Sequence, residues 1–199
     1  MNMYFYHFTT ASSAHRIKAS SLKVGKTPFS GMSKRLAISL TNTPDPKGHG
    51  LMTGQTLKDS DPEYNLVLSL GLYTPVLDPK GFYTITVADQ TEAMLVIDLN
   101  TSSSKLISYD KLFEQDIKNN AYPGLSKGLY ERLSAAAIHS ADYPFSTAHI
   151  TTAQQDQEIL DIINKKRTHK ASTWFFYLSD IQPKNIVRIL FKQSDGSYK

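Results

Sequence analysis

Strand-length runs of apolar residues, several of them alternating with polar ones, recur from one end of the chain to the other, and each is long enough for one sheet strand only. The first is MYFYHFT, Met3 to Thr9, whose alternation sets Tyr4, Tyr6 and Phe8 on one face and Phe5 and His7 on the other. KRLAISLT, Lys34 to Thr41, predicts a second strand with Leu36, Ile38 and Leu40 against Ala37, Ser39 and Thr41. GFYTITV (81–87), the apolar run Ala93 to Leu99, Trp174 to Leu178 and Asn185 to Phe191 read the same way, and Pro183 marks the turn between the last two. YNLVLSLGLYTPVL, Tyr64 to Leu77, fits either a strand pair broken at Gly71 or a short helix.

Helical spacing is interleaved with these runs. Thr10 to Ser13 offer N-caps to a short helix over Ala14 to Ala19. Further helices are predicted over Asp110 to Lys118, Lys127 to His139 and Thr152 to Lys166, the last with Ile159, Ile162 and Ile163 as its apolar stripe. The mixed order of elements points to the α+β class, not to a strict β-α-β alternation. A chain of 199 residues and 22.3 kDa buries about 70% of its unfolded surface, enough for a single domain over residues 1–199.

Several function classes are disfavoured at this level. No apolar stretch approaches the ~20 residues of a membrane span, so no membrane partner is expected. The N-terminus has neither the basic start nor the apolar core of a secretion signal. With no Cys there are no disulfides, thiol nucleophiles or Cys-ligated metals, which suits a reducing cytoplasm. His139, His149 and His169 lack metal-ligand spacing, so no metal is expected. The glycine fingerprints of P-loop and dinucleotide folds, and the GxSxG and HExxH motifs, are absent.

The net charge is +4. Its excess is concentrated in the first fifty residues, where His15, Arg16, Lys18, Lys23, Lys26, Lys34, Arg35 and Lys47 face one acid, Asp45, and again in Lys165-Lys166-Arg167. Such a face either meets phosphates or is simply solvated.

Three clusters carry candidate chemistry. His7 and Thr9 share one strand face, an imidazole beside a hydroxyl that can hold a ribose diol, although both also suit a half-buried strand. Ser39 and Thr41 put two hydroxyls on one face just before the segment NTPDPKGHGLMTGQ, whose Pro, Gly, Asn and Asp turn the chain. Gln90-Thr91-Glu92 presents an amide and a carboxylate, a pair able to orient an acceptor and stabilise a cationic ribosyl centre, or else an ordinary surface turn. His49 within GHG is either an acid–base or ligand contact or an exposed loop histidine. Trp174 to Tyr177 reads as a buried strand in preference to a base-stacking platform.

Together these segments resemble the ADP-ribosyltransferase superfamily, most of all its DNA-targeting toxins. YHFTTASSAHRIKASSLK resembles the opening His-x-Ser/Thr strand and following helix, RLAISLTNTPDPKGHGL the second strand, and QTEAMLV the Gln-x-Glu motif. The resemblance covers about the first half of the chain. It implies a compact split β-sheet with peripheral helices and NAD as substrate. It also implies His7 and Thr9 on the NAD ribose, Ser39 and Thr41 beneath the nicotinamide, and Arg35 or Arg16 on the pyrophosphate. NAD would lie between the His7 strand and the Ser39 strand, and Gln90 and Glu92 would be catalytic. The acceptor would be a nucleic acid or a protein. A bacterial or phage toxin or delivered effector with a cognate inhibitor would fit.

One departure stands against the family pattern: its catalytic Glu belongs to a late strand, and ASTWFFYLSDIQPKNIVRIL has none. Glu92 then serves a rearranged site, or Glu131 or Glu158 supplies the carboxylate, or the fold persists without transfer. The alternatives are a non-catalytic nucleic-acid- or protein-binding module on the same fold, and an RNA 2'-phosphotransferase-like enzyme using Arg16, Arg35 and His49.

Overall fold

A computed structural model describes residues 1–26, 36–47, 49, 51–61, 64–69, 71–109, 111, 112, 115 and 173–199. Arg35, Glu131, Glu158, the Lys165–Arg167 cluster, the helices expected over 127–139 and 152–166, and most of that over 110–118 lie outside them.

The opening alternation produces β1, Asn2–Thr9. The chain then turns directly into α1, Ala11–Ala19, because Thr10 stays extended and its hydroxyl accepts the Ser13 N–H. The helix therefore starts three residues before the expected Ala14. After it come β2 (Gly25–Lys26), β3 (Leu36–Thr41), β4 (Thr56–Lys58), the short helix α2 (Tyr64–Ser69), β5 (Val76–Leu77) and β6 (Tyr83–Thr86). β7 (Ala93–Asn100), β8 (Leu106–Ser108), β9 (Trp174–Tyr177) and β10 (Ile186–Phe191) complete the order, with a 3-10 turn at Pro183–Asn185. The ambiguous 64–77 segment resolves into a helix followed by a strand. The fold is α+β, built on antiparallel sheets.

The larger sheet runs β10-β7-β1-β3-β9-β8, with β2 also paired to β3. Its register sorts the side chains into two faces. Opposite Phe5, His7 and Thr9 stand Ile97, Leu95 and Ala93, and these odd-numbered positions form one face. That face carries the main core, Phe5, Ile38, Leu40, Ala93, Leu95 and Ile97, and α1 covers it with Ala14 and Ile17. Burying this many aliphatic side chains, at about 1.5–3 kcal/mol each, outweighs the weak helix propensity of the polar α1.

β1 and β3 are unusual neighbours. They pair only at Tyr6↔Thr41, whereas β2 meets β3 at Leu36 and Ala37. Between these points, Ile38 to Leu40 have a ladder partner on the β9 side alone. The sheet thus has a seam beside His7.

The smaller sheet, β4-β6-β5, packs Leu57, Ile85 and Val87 on Tyr64 and Val67 of α2. Its β5–β6 turn depends on Asp78, whose Oδ1 accepts the Lys80 and Phe82 N–H groups. Gly81 there has φ of 86°, a conformation that costs glycine little. The chain ends folded back on β10, with Phe191 and Lys199 exchanging backbone hydrogen bonds of 2.7 and 3.1 Å.

Candidate functional site

His7 occupies the seam. Ser39 has no ladder partner on the β1 side among the described residues, and the His7 imidazole Nδ1 lies 2.8 Å from its carbonyl oxygen. A carbonyl only accepts, so Nδ1 carries the proton and Nε2 is the ring's acceptor. Burial pushes the imidazole below its ordinary value, opposed only in part by the Ser39 carbonyl. His7 is therefore neutral near pH 7 and can accept a hydroxyl proton at Nε2.

The β1–β7 register brings a carboxylate to the same end of the sheet. Thr9 pairs with Ala93, and Glu92 is the residue just before it. Glu92 lies three residues from Leu95, the partner of His7, so the two positions are about 10 Å apart along the strand. The Glu92 Oε2 accepts the Ala11 N–H at 2.8 Å, so the carboxylate caps the N-terminus of α1.

Gln90 is differently employed. Its Oε1 accepts the Met52 N–H at 3.1 Å while its own N–H donates to the Met52 carbonyl at 2.8 Å. The side chain thereby zips the 51–55 loop to the 89–92 turn. That turn is clamped again by Asp89, which accepts both the N–H and the hydroxyl of Thr91. Lys192 donates to Asp89 and to the Thr91 hydroxyl, and the Tyr198 hydroxyl donates to the Thr91 carbonyl at 2.6 Å. Neither Lys192 nor Tyr198 stands out in the sequence, because Lys192 reaches the turn through the β10–β7 pairing and Tyr198 through the folded-back C-terminus.

No family model, curated protein or solved structure matches this chain. What it can do is read from its own geometry.

The remaining expected residues fall on the other sheet face. Ser39 and Thr41 pair with Phe176 and Trp174, and strand alternation points them away from His7 and Leu40. The Ser39 hydroxyl accepts the Trp174 indole N–H, and Thr41 Oγ1 accepts the Thr43 N–H at 3.2 Å. His49 is buried, not exposed, edge-on to Trp174 at 6.0 Å ring to ring, and Trp174 also stacks on Tyr109 at 5.0 Å. The structure thus groups His7, Thr9, Gln90 and Glu92 at one end of the β1–β7 pair, and Ser39, Thr41 and His49 around Trp174 behind it. The cleft expected between β1 and β3 is a closed seam, because these strands are neighbours in one sheet and the His7 ring bridges them. Arg35 lies outside the described residues. Arg16 is exposed on α1 and donates to the Ser13 hydroxyl at 3.1 Å. No helix among the described residues is long and apolar enough to cross a membrane.

Proposed function

We propose that the chain is an NAD-dependent ADP-ribosyltransferase. The observation that carries this reading is the β1–β7 register, which brings a neutral, tautomer-fixed imidazole and a hydroxyl to within about 10 Å of a carboxylate toward one sheet end. His7 Nε2 accepts a ribose hydroxyl, Thr9 adds a second polar contact, and Glu92 faces the ribose as positive charge develops at its anomeric carbon. The bond from that carbon to the nicotinamide nitrogen breaks, nicotinamide leaves with the electron pair, and an acceptor nucleophile takes its place and releases a proton. The basic N-terminal third favours a nucleic acid as acceptor.

The test is incubation of the purified protein with labelled NAD, following nicotinamide release and transfer of label to DNA, RNA and lysate proteins. Wild-type turnover lost in His7→Ala and Glu92→Gln supports the reading. Absence of both turnover and calorimetric NAD binding refutes it.

A second reading has its own observation. The side-chain carbonyl of Gln90 and one carboxylate oxygen of Glu92 are both engaged by main-chain N–H groups, which is structural work. A non-catalytic module binding nucleic acid would then bind salt-sensitively, weaken on reversal of Lys18 or Lys26, and be indifferent to Glu92→Gln.

A further inference from the structure

Away from the His7 seam, on the outer flank of α1, the helix and the edge strand β10 enclose a cavity of about 270 Å³. Its lining combines two chemistries. Ile186, Ile189, Phe191 and Pro183 supply flat apolar surface, while His15 and Lys18 of α1 bring an imidazole and an ammonium group, and no carboxylate is among the described lining residues; Arg188 also lines the cavity but pairs with Val96, on the opposite sheet face from Ile189 and Phe191. The ring of His15 stacks on Phe191 at 5.1 Å with an interplanar angle of 26°, so an aromatic wall already stands at the mouth.

The backbone shapes this cavity. β10 follows β7 in one register from Arg188 to Phe191, but the register shifts between Ile186 and Arg188, so Val187 is an extra residue. A bulge leaves such a residue outside the ladder and bends the strand locally, and bulges are common beside binding sites. Pro183 begins the 3-10 turn that leads into this bulge and closes the opposite wall.

We propose that this pocket binds a phosphate monoester carried on a single ring system, the chemistry of a mononucleotide. The volume lies just below the ~300–1,000 Å³ of ordinary small-molecule sites, which suits one ring and one charged group, not a dinucleotide. The ring packs on Ile186, Ile189 and the His15–Phe191 wall, and the phosphate meets Lys18, with no carboxylate among the described lining residues. The site is separate from the seam: His7 belongs to β1, while the cavity is lined by α1, β10 and the turn before it.

The test is calorimetric and NMR titration of the full chain with AMP, adenosine and inorganic phosphate as separate probes. AMP is expected to saturate, with adenosine and phosphate each at least about tenfold weaker, since each carries only one half of the recognition. Lys18→Glu, at an exposed position and checked for an unchanged melting curve, should weaken AMP by about tenfold or more, whereas Arg188→Glu, on the other sheet face, should weaken it less. His7→Ala should leave AMP binding unaltered. The proposal is overturned by lack of saturation, by phosphate binding as well as AMP, or by AMP binding that ignores Lys18→Glu. It is equally overturned if His7→Ala abolishes AMP binding, which would place the nucleotide at the seam. Failure of NAD turnover bears on the transferase reading alone.

Discussion

Glu92 and Ala11 are 81 residues apart in sequence and are joined by one hydrogen bond, from the Ala11 N–H to Glu92 Oε2 at 2.8 Å. Ala11 opens α1, and the capping Thr10 hydroxyl accepts the Ser13 N–H and not that of Ala11, so Glu92 satisfies an otherwise orphaned donor from another strand. Glu92→Ala is expected to lower unfolding stability by about 1 kcal/mol. Glu92→Gln keeps an acceptor and should lose only the charge–dipole share, about 0.3–1 kcal/mol. Urea unfolding of both variants beside nicotinamide release separates the two roles. Turnover abolished in a Gln variant of near-native stability assigns the carboxylate to chemistry, whereas turnover intact in both variants leaves it a cap.

The His7 imidazole has a folded value below its ordinary 6.5, because burial disfavours the charged ring. The unfolded chain therefore takes up a proton at a higher pH than the folded one does. Stability contributed by the neutral ring is full above 6.5 and falls as pH drops from there toward the folded value. His7→Gln should flatten the stability-against-pH curve between about pH 7 and 5. Melting temperatures across that range decide it: an unchanged slope would mean that His7 titrates as an exposed histidine does.

Much of this architecture is legible before any coordinates. β1, β3, β7, β9 and β10 follow from two-residue alternation or short apolar runs, because burying one sheet face demands that pattern. What escapes is short or distant. Gly25–Lys26 and Thr56–Lys58 carry too few residues for a period to emerge, and Leu106–Ser108 is recruited only by its pairing with β9. His7 and Thr9 are correctly read as sharing a face, as are Ser39 and Thr41, but alternation within a strand says nothing of register between strands. Only the Tyr6↔Thr41 pairing shows that the two pairs point to opposite sides. Gln90 and Glu92 look like one functional unit in sequence, yet their partners, Met52 and Ala11, come from separate segments.

Behind the seam, the protein's single tryptophan reports on Ser39. Trp174 is buried, and its indole N–H donates to the Ser39 hydroxyl. Ser39→Ala removes this acceptor and is expected to cost about 1 kcal/mol. Intrinsic fluorescence should shift in the folded variant, since Trp174 is the only indole. Ser39→Thr retains a hydroxyl and should restore much of both. A spectrum indifferent to Ser39→Ala would refute the bond.

The clamp on the 89–92 turn makes a prediction at acid pH. Burial alone would raise the Asp89 carboxyl, but the Thr91 hydroxyl and N–H together with Lys192 outweigh it and hold the group below its ordinary 3.8. A carboxylate with a depressed folded value contributes stability that is full above the unfolded value and is lost as pH falls through the folded one. Asp180 and Asp195 are depressed too and act in the same window, so the informative quantity is the difference between variants. Asp89→Asn should flatten acid unfolding below about pH 4. Lys192→Met removes the donors at 3.2 Å to Asp89 and 2.8 Å to Thr91, and should move the acid midpoint upward while costing about 1 kcal/mol at neutral pH. Because Lys192 also anchors the segment that delivers the Tyr198 hydroxyl to Thr91, amide exchange at 197–199 should speed up in Lys192→Met but not in a control such as Lys184→Met. Equal exchange in the two variants would mean that the C-terminal hairpin holds without the clamp.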